Sequence, residues 1–197
     1  MMGESKPLDI SSLWKYDLRQ GNTDDPRNGA CLFDAGMWLV YGKIGDNPPC
    51  SCPIIRAYAI HLNDSMPDDQ RQLLKPFILR VVGNRDPAAE DARSHFIVLE
   101  TARRIVGLSL PDDVSYAEII QACEAAGVEP PIEALAWAAW ARRVSGENWY
   151  HAIAILDGAL KIGKQSPEMD EALVRKSIQA FEIARFEGQP EGTLTYE

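Results

Sequence analysis

Cys50 and Cys52 stand one residue apart in the turn-rich phrase IGDNPPCSCP, and their thiols are the first groups in this chain to weigh for chemistry. Thiolates bind soft and borderline metals, so zinc is the ion this pair would take, with Cys31, His61 or Cys123 completing the set. Structural zinc sites bring two closely spaced ligand pairs, however, and a second pair is missing here. Cys31 and Cys123 lie in apolar helical stretches, where cysteine behaves as a small buried hydrophobe. Ordinary thiols with no cofactor are the expectation, and a structural metal on Cys31, Cys50 and Cys52 is the alternative. Either cysteine of the pair would also suit a nucleophile, because a helix beginning at Pro53 favours the anion of a thiol placed just before it. His61, the one histidine of this segment, would then sit two turns down that helix from the thiols, too far for a direct hydrogen bond.

Proton transfer would fall to Asp34, His61 and Asp64, carboxyl and imidazole groups set among apolar residues, where burial raises a carboxyl pKa towards useful values. Glu100 has a similar setting. Arg56 or Arg80 would bind an anionic substrate group. Structural roles compete with each of these. Asp64 stands where one helix ends and the next begins, the place of a cap, and Asp34 is expected to form an ion pair with Arg56 or Arg80, a use of charge that perturbs pKa values without catalysis. Trp137, Trp140, Trp149 and Tyr150 cluster around one helix-loop-helix, with His151 beside them. Core packing explains them, and so would an interface anchored by aromatic side chains.

These side chains must be positioned by helices. The run CLFDAGMWLVYG places Leu32, Ala35 and Leu39 on one helical face. Pro53 opens a second helix, IIRAYAIHLND. Asp64 or Ser65 is expected to cap a third helix that begins near Pro67, carries Asp68 and Asp69 at its positive end, and is kinked or broken by Pro76. Further helices are expected at Pro87 to Val106, stopped by Gly107, and at Ser115 to Ala126, Pro131 to Val144, Trp149 to Ile162 and Pro167 to Phe186. The fold class is therefore all-α: an irregular bundle of about seven to eight helices with a short extended N-terminal arm. Residues 1–28 form the arm and 29–197 a single helical domain, any subdivision falling near 107–112.

Several broad classes are disfavoured by composition. The 197 residues are 46% hydrophobic and 25% charged, ordinary values for a chain that buries a core. A net charge of −9 opposes the basic footprint that nucleic-acid binding requires. No apolar run reaches the length that crosses a bilayer, and the opening MMGESKPLDISSLWKYDL lacks the pattern of a secretory signal, so a cytoplasmic protein with no membrane partner is expected. None of the spacings matches a P-loop, a paired CxxC or an HExxH helix.

The phrases NGACLFDAGMWL, DNPPCSCPIIRAY and HLNDSMPDDQRQLLKPFILRVVGNRD, in this order, resemble a group of uncharacterised bacterial and phage-borne proteins. The resemblance covers about the first half of the chain and implies a bacterial or phage source for a discrete small module, but no activity. Because no catalytic set is complete, the functional expectation is a helical interaction module, a regulator or adaptor that acts on another protein through an acidic surface, as a monomer or a homodimer. The alternatives are a small enzyme or ligand-binding protein with its site in the Cys31–His61 segment, and a structural metal protein.

Overall fold

The structure is a computed structural model, and it describes residues 17–23, 28–41, 43–127 and 148–164. All-α is the fold class: α1 (Leu32–Tyr41), α2 (Pro53–Ser65), a short α3 (Asp68–Arg71), α4 (Ile78–Val82), α5 (Glu90–Thr101), α6 (Tyr116–Ala125) and α7 (Asn148–Lys161). Among the described residues the β-type pairing is an isolated parallel bridge between Leu18 and Ala30. No helix among them is long and apolar enough to cross a membrane.

Local sequence explains most of the boundaries. Pro53 begins α2, where its missing N–H costs nothing because the first amides of a helix have no intrahelical acceptor. Pro76 cannot donate within an α-helix, and the chain answers with a 3₁₀ stretch, Gln72–Phe77, between α3 and α4. A 3₁₀ turn at Pro87–Ala89, α5 and a π-helical segment at Ala102–Val106 follow one another, and Gly107 in the left-handed region (φ 84°) ends the run. At α6, the Ser115 side chain accepts the Glu118 amide while Glu118 returns a bond to the Ser115 amide, a complete capping box.

One cap differs from expectation. Asp64 and Ser65 do not cap α3, because α2 continues through Ser65 and Pro67 occupies the N-cap position. The α2 C-terminus is closed instead by the buried Arg71, whose guanidinium donates from Nε to the Asn63 carbonyl (2.6 Å) and from Nη2 to the Met66 carbonyl (2.6 Å), with Asp68 on Nη1. A cation suits that position, since the last carbonyls of a helix carry its negative dipole end.

The main core joins α1, α2, α4 and α7 through Leu32, Phe33, Ile55, Leu62, Leu74, Ile78, Val82, Ile155 and Leu156. α1 lies close against α4, and the approach depends on Gly36: a Cβ there would meet Val82 Cγ2 at 2.3 Å. Gly158 of α7 likewise accommodates the ring of Phe96 on α5. A smaller cluster of Val98, Leu99, Ala102, Val114, Ile119 and Cys123 holds α6 to α5. The expected helices at 131–144 and 167–186 lie outside the described residues, as do residues 1–16 and 24–27 of the arm.

Candidate functional site

Four stretches of chain meet around Asn63, near the C-terminal end of α2. Its Oδ1 accepts the Leu32 amide at the start of α1 (3.3 Å). Its Nδ2 donates to the Arg19 carbonyl (3.0 Å) and to Asp64 Oδ1 (3.0 Å). The side chain is buried and polar, so these bonds are what make its burial tolerable. Beside it lies a shallow cleft enclosing about 250 Å³ including its open mouth, lined by Gly21, Asn22, Cys31, Leu32, Phe33, Asp46, Ile60, Asn63 and Asp64.

Two of the candidates read from sequence, Cys31 and Asp64, share this cleft, and Asp34 sits beside Cys31. Cys31 precedes α1, and its Sγ accepts the Asp34 amide (3.3 Å), as an N-cap side chain does. Burial pushes the Cys31 thiol up to about 12, and the neighbouring Asp34 carboxyl adds to the effect, outweighing the amide that favours the anion. The group is thus a protonated thiol at neutral pH and a poor nucleophile.

Asp34 itself is 1% exposed. Its Oδ2 accepts the Thr23 amide (3.3 Å), while Oδ1 is buried with no hydrogen-bond partner. The expected ion pair of Asp34 with Arg56 or Arg80 does not form. Arg56 turns to the loop after α1, donating from Nε to the Asp46 carbonyl (2.5 Å) with Nη2 at 3.5 Å from the Asp46 carboxyl group. Arg80 reaches across to α7, where Nη1 meets Asp157 Oδ1 at 2.6 Å, and it also lies over the Phe77 ring. The reason is directional: α4 and α2 present these arginines to other neighbours, whereas Asp34 faces Thr23 and accepts its amide. Neither arginine is therefore placed beside Asp34 to receive an anionic group there.

His61 is half-buried and is not among the residues lining the cleft. On α2 it is rotated about 100° from Ile60, while Asn63 and Asp64 come back round to the Ile60 side. Cys50 and Cys52 are buried away from the cleft. Cys50 Sγ donates to the Val82 carbonyl (2.7 Å) and contacts the Tyr41 hydroxyl (2.8 Å). Cys52 is fully enclosed and its amide donates to Asn84 Oδ1 (2.8 Å). The Cys31 thiol is thus engaged with the α1 start and the Cys50 thiol with the end of α4, while Cys52 is tied to Asn84 through its backbone amide. Among the described residues no group of three or more His, Cys, Asp or Glu side chains is placed to hold a metal ion.

The aromatic cluster divides. Trp149 is in the core and Tyr150, one residue on, is 65% exposed, while Trp137 and Trp140 lie outside the described residues. Glu100 is engaged by Arg103 Nη1 (3.1 Å) and by Arg104.

Sequence reasoning overlooked the amides and buried guanidinium groups that organise this region: Asn63, Gln72, Asn84, Arg71 and Arg93. Asn84 links the α2 start to α4 by accepting the Cys52 amide and donating to the Arg80 carbonyl (2.8 Å). Arg93, fully enclosed, donates to the carbonyls of Asn84 (2.6 Å) and Ile162 (2.9 Å), tying α5 to the end of α7. A polar residue inside an apolar helical run, such as Asn63 after Leu62, is the signal that was present. Comparison with known proteins adds no assignment: no protein-family model, no curated protein and no solved structure matches the chain.

Proposed function

We propose that this chain is a helical protein-interaction module that acts on another protein, as a bacterial or phage cytoplasmic regulator or adaptor, through its acidic surface. The observation that carries the reading is the division between interior and surface. The four thiols and Asp34 are buried, with Cys31, Cys50 and Asp34 engaged by backbone groups, whereas acidic side chains crowd the solvent face of α6 and the loop before it. Asp112, Asp113, Glu118 and Glu124 are all exposed and no Lys or Arg occurs between Leu108 and Gly127, although Arg103 reaches across to pair with Asp112 (2.9 Å). The predominantly acidic face left by Asp113, Glu118 and Glu124 steers a basic partner and raises its rate of encounter.

The test is capture of partners by the tagged full chain, comparing wild type with an Asp113→Asn, Glu118→Gln, Glu124→Gln variant. A basic protein retained by the wild type, released by moderate salt and lost from the variant supports the reading. A captured set unchanged by neutralising this face overturns it.

A further inference from the structure

Residues 17–23 are held the way a groove holds a peptide, paired strand-like at Leu18 and bent at Gln20 and Gly21, where Gly21 is in the left-handed region (φ 73°). Their main chain is gripped by side chains of the helical body. Gln72 takes both polar groups of Leu18, its Oε1 accepting the amide (3.0 Å) and its Nε2 donating to the carbonyl (2.9 Å). Asn63 donates to the Arg19 carbonyl (3.0 Å), Asp64 Oδ1 accepts the Gly21 amide (3.3 Å), and Asp34 Oδ2 accepts the Thr23 amide (3.3 Å). Ala30 adds a short stretch of backbone pairing, accepting the Arg19 amide (2.8 Å) and donating to the Asp17 carbonyl (3.2 Å). Leu18 is the single apolar anchor, 3% exposed and part of the main core. Main-chain bonds for affinity and a pocket for one side chain are the two components of extended-peptide recognition.

The fit is close around Leu18 and loose beyond it. Contacts lengthen from 2.8–3.0 Å at Leu18 and Arg19 to 3.3 Å at Gly21 and Thr23. The cleft opens beside Gly21 and Asn22, and the Asp34 carboxyl group that receives Thr23 keeps its other oxygen buried and unpartnered. A buried acceptor without a donor is costly, so the segment leaves part of the groove's binding capacity unused.

We propose that residues 17–23 are an intramolecular occupant of a peptide-docking groove formed by Asp34, Asn63, Asp64, Gln72 and the Leu18 pocket. The competing ligand is a leucine-anchored segment of a partner protein, extended at the leucine, with further main-chain or basic donors directed to Asp34 and Asp64. This inference rests on the reading of the chain as a protein-interaction module and specifies one site of that interaction. The segment then acts as an autoinhibitory strap: a partner binds only as tightly as the fraction of molecules with the strap displaced allows.

The experiment uses the full chain and a fluorescent peptide of its own sequence, KYDLRQGNTDD, followed by anisotropy. Leu18→Ser in the chain weakens the strap and empties the pocket, so it should bind the peptide at least tenfold more tightly than wild type. Adding Gln72→Ala to that chain should remove at least about tenfold of the gain, and a peptide with serine in place of its leucine should not compete. A folded Leu18→Ser chain that does not bind the peptide, or binds leucine and serine peptides alike, overturns the proposal. If Leu18→Ser does not fold, native-state hydrogen exchange of the wild type decides. Exchange of the Arg19 amide through an opening well below that of the α2 core supports a displaceable strap, and exchange only with the core refutes it. Failure here with α6-dependent capture intact removes the groove alone; peptide binding with capture unaffected by α6 neutralisation removes the acidic-face reading alone.

Discussion

Replacing Asn63 by alanine should destabilise the protein well beyond a typical surface change, because the side chain satisfies three groups at once. The Leu32 amide loses its acceptor at a fully enclosed residue, and a buried donor left unpaired costs about 1–3 kcal/mol. The Arg19 carbonyl loses its donor but belongs to an exposed residue, where water can replace it, so about 0.5–1.5 kcal/mol is the appropriate scale. Asp64 Oδ1 keeps the Gly21 amide. The sum is about 1.5–4.5 kcal/mol, centred near 3. With a urea slope of about 2 kcal/mol per molar, the unfolding midpoint should fall by about 1–2 M at unchanged slope. Hydrogen exchange of the Leu32 amide should accelerate in parallel. A loss below about 0.5 kcal/mol would show that the start of α1 and residues 17–23 do not depend on this amide, and would refute its assignment as the organiser of the site.

Gly36→Ala should cost about 1–2 kcal/mol, since overpacking against Val82 exceeds the roughly 1 kcal/mol that alanine gains in helix propensity; Val82→Ala in the same molecule should recover part of the loss, and additivity within about 0.3 kcal/mol would contradict the contact. Cys31, raised from its ordinary value to about 12, should react with a thiol reagent at pH 8 about a thousandfold more slowly than in the unfolded chain, and labelling at the unfolded rate would exclude a buried, protonated thiol. At Asp157, burial raises the carboxyl pKa but Lys161 and Arg80 together bring it below the ordinary range. The unfolded state therefore binds the proton more readily, and the stabilisation is full above the ordinary carboxyl value and lost as pH falls below about 4. Asp157→Asn should accordingly be less stable than wild type at pH 7, with the deficit shrinking towards pH 3; a deficit independent of pH would place its cause elsewhere.

The sequence by itself determined most helix boundaries among the described residues, because their signals are local. Apolar periodicity marked α1, Pro53 marked the start of α2, Pro76 forced the 3₁₀ break, Gly107 marked the end of the α5 run and Ser115 the start of α6. Each of these depends on backbone geometry within a few residues, which a linear reading can supply. Who meets whom was decided by tertiary structure. Asp34, Arg56 and Arg80 are plausible partners by charge, yet the way α1, α2 and α4 pack sends each to a different neighbour. Cys50 and Cys52 just before a helix start promised a reactive thiol, but burial is a property of everything packed around them, and both are enclosed by the core. The polar groups that build the candidate groove, Asn63 and Gln72, gain their meaning from residues 44 and 54 positions away, Arg19 and Leu18. Bonds across such separations exist only after the core around Leu18, Leu32 and Leu62 has closed, which is why periodicity and spacing held no trace of them.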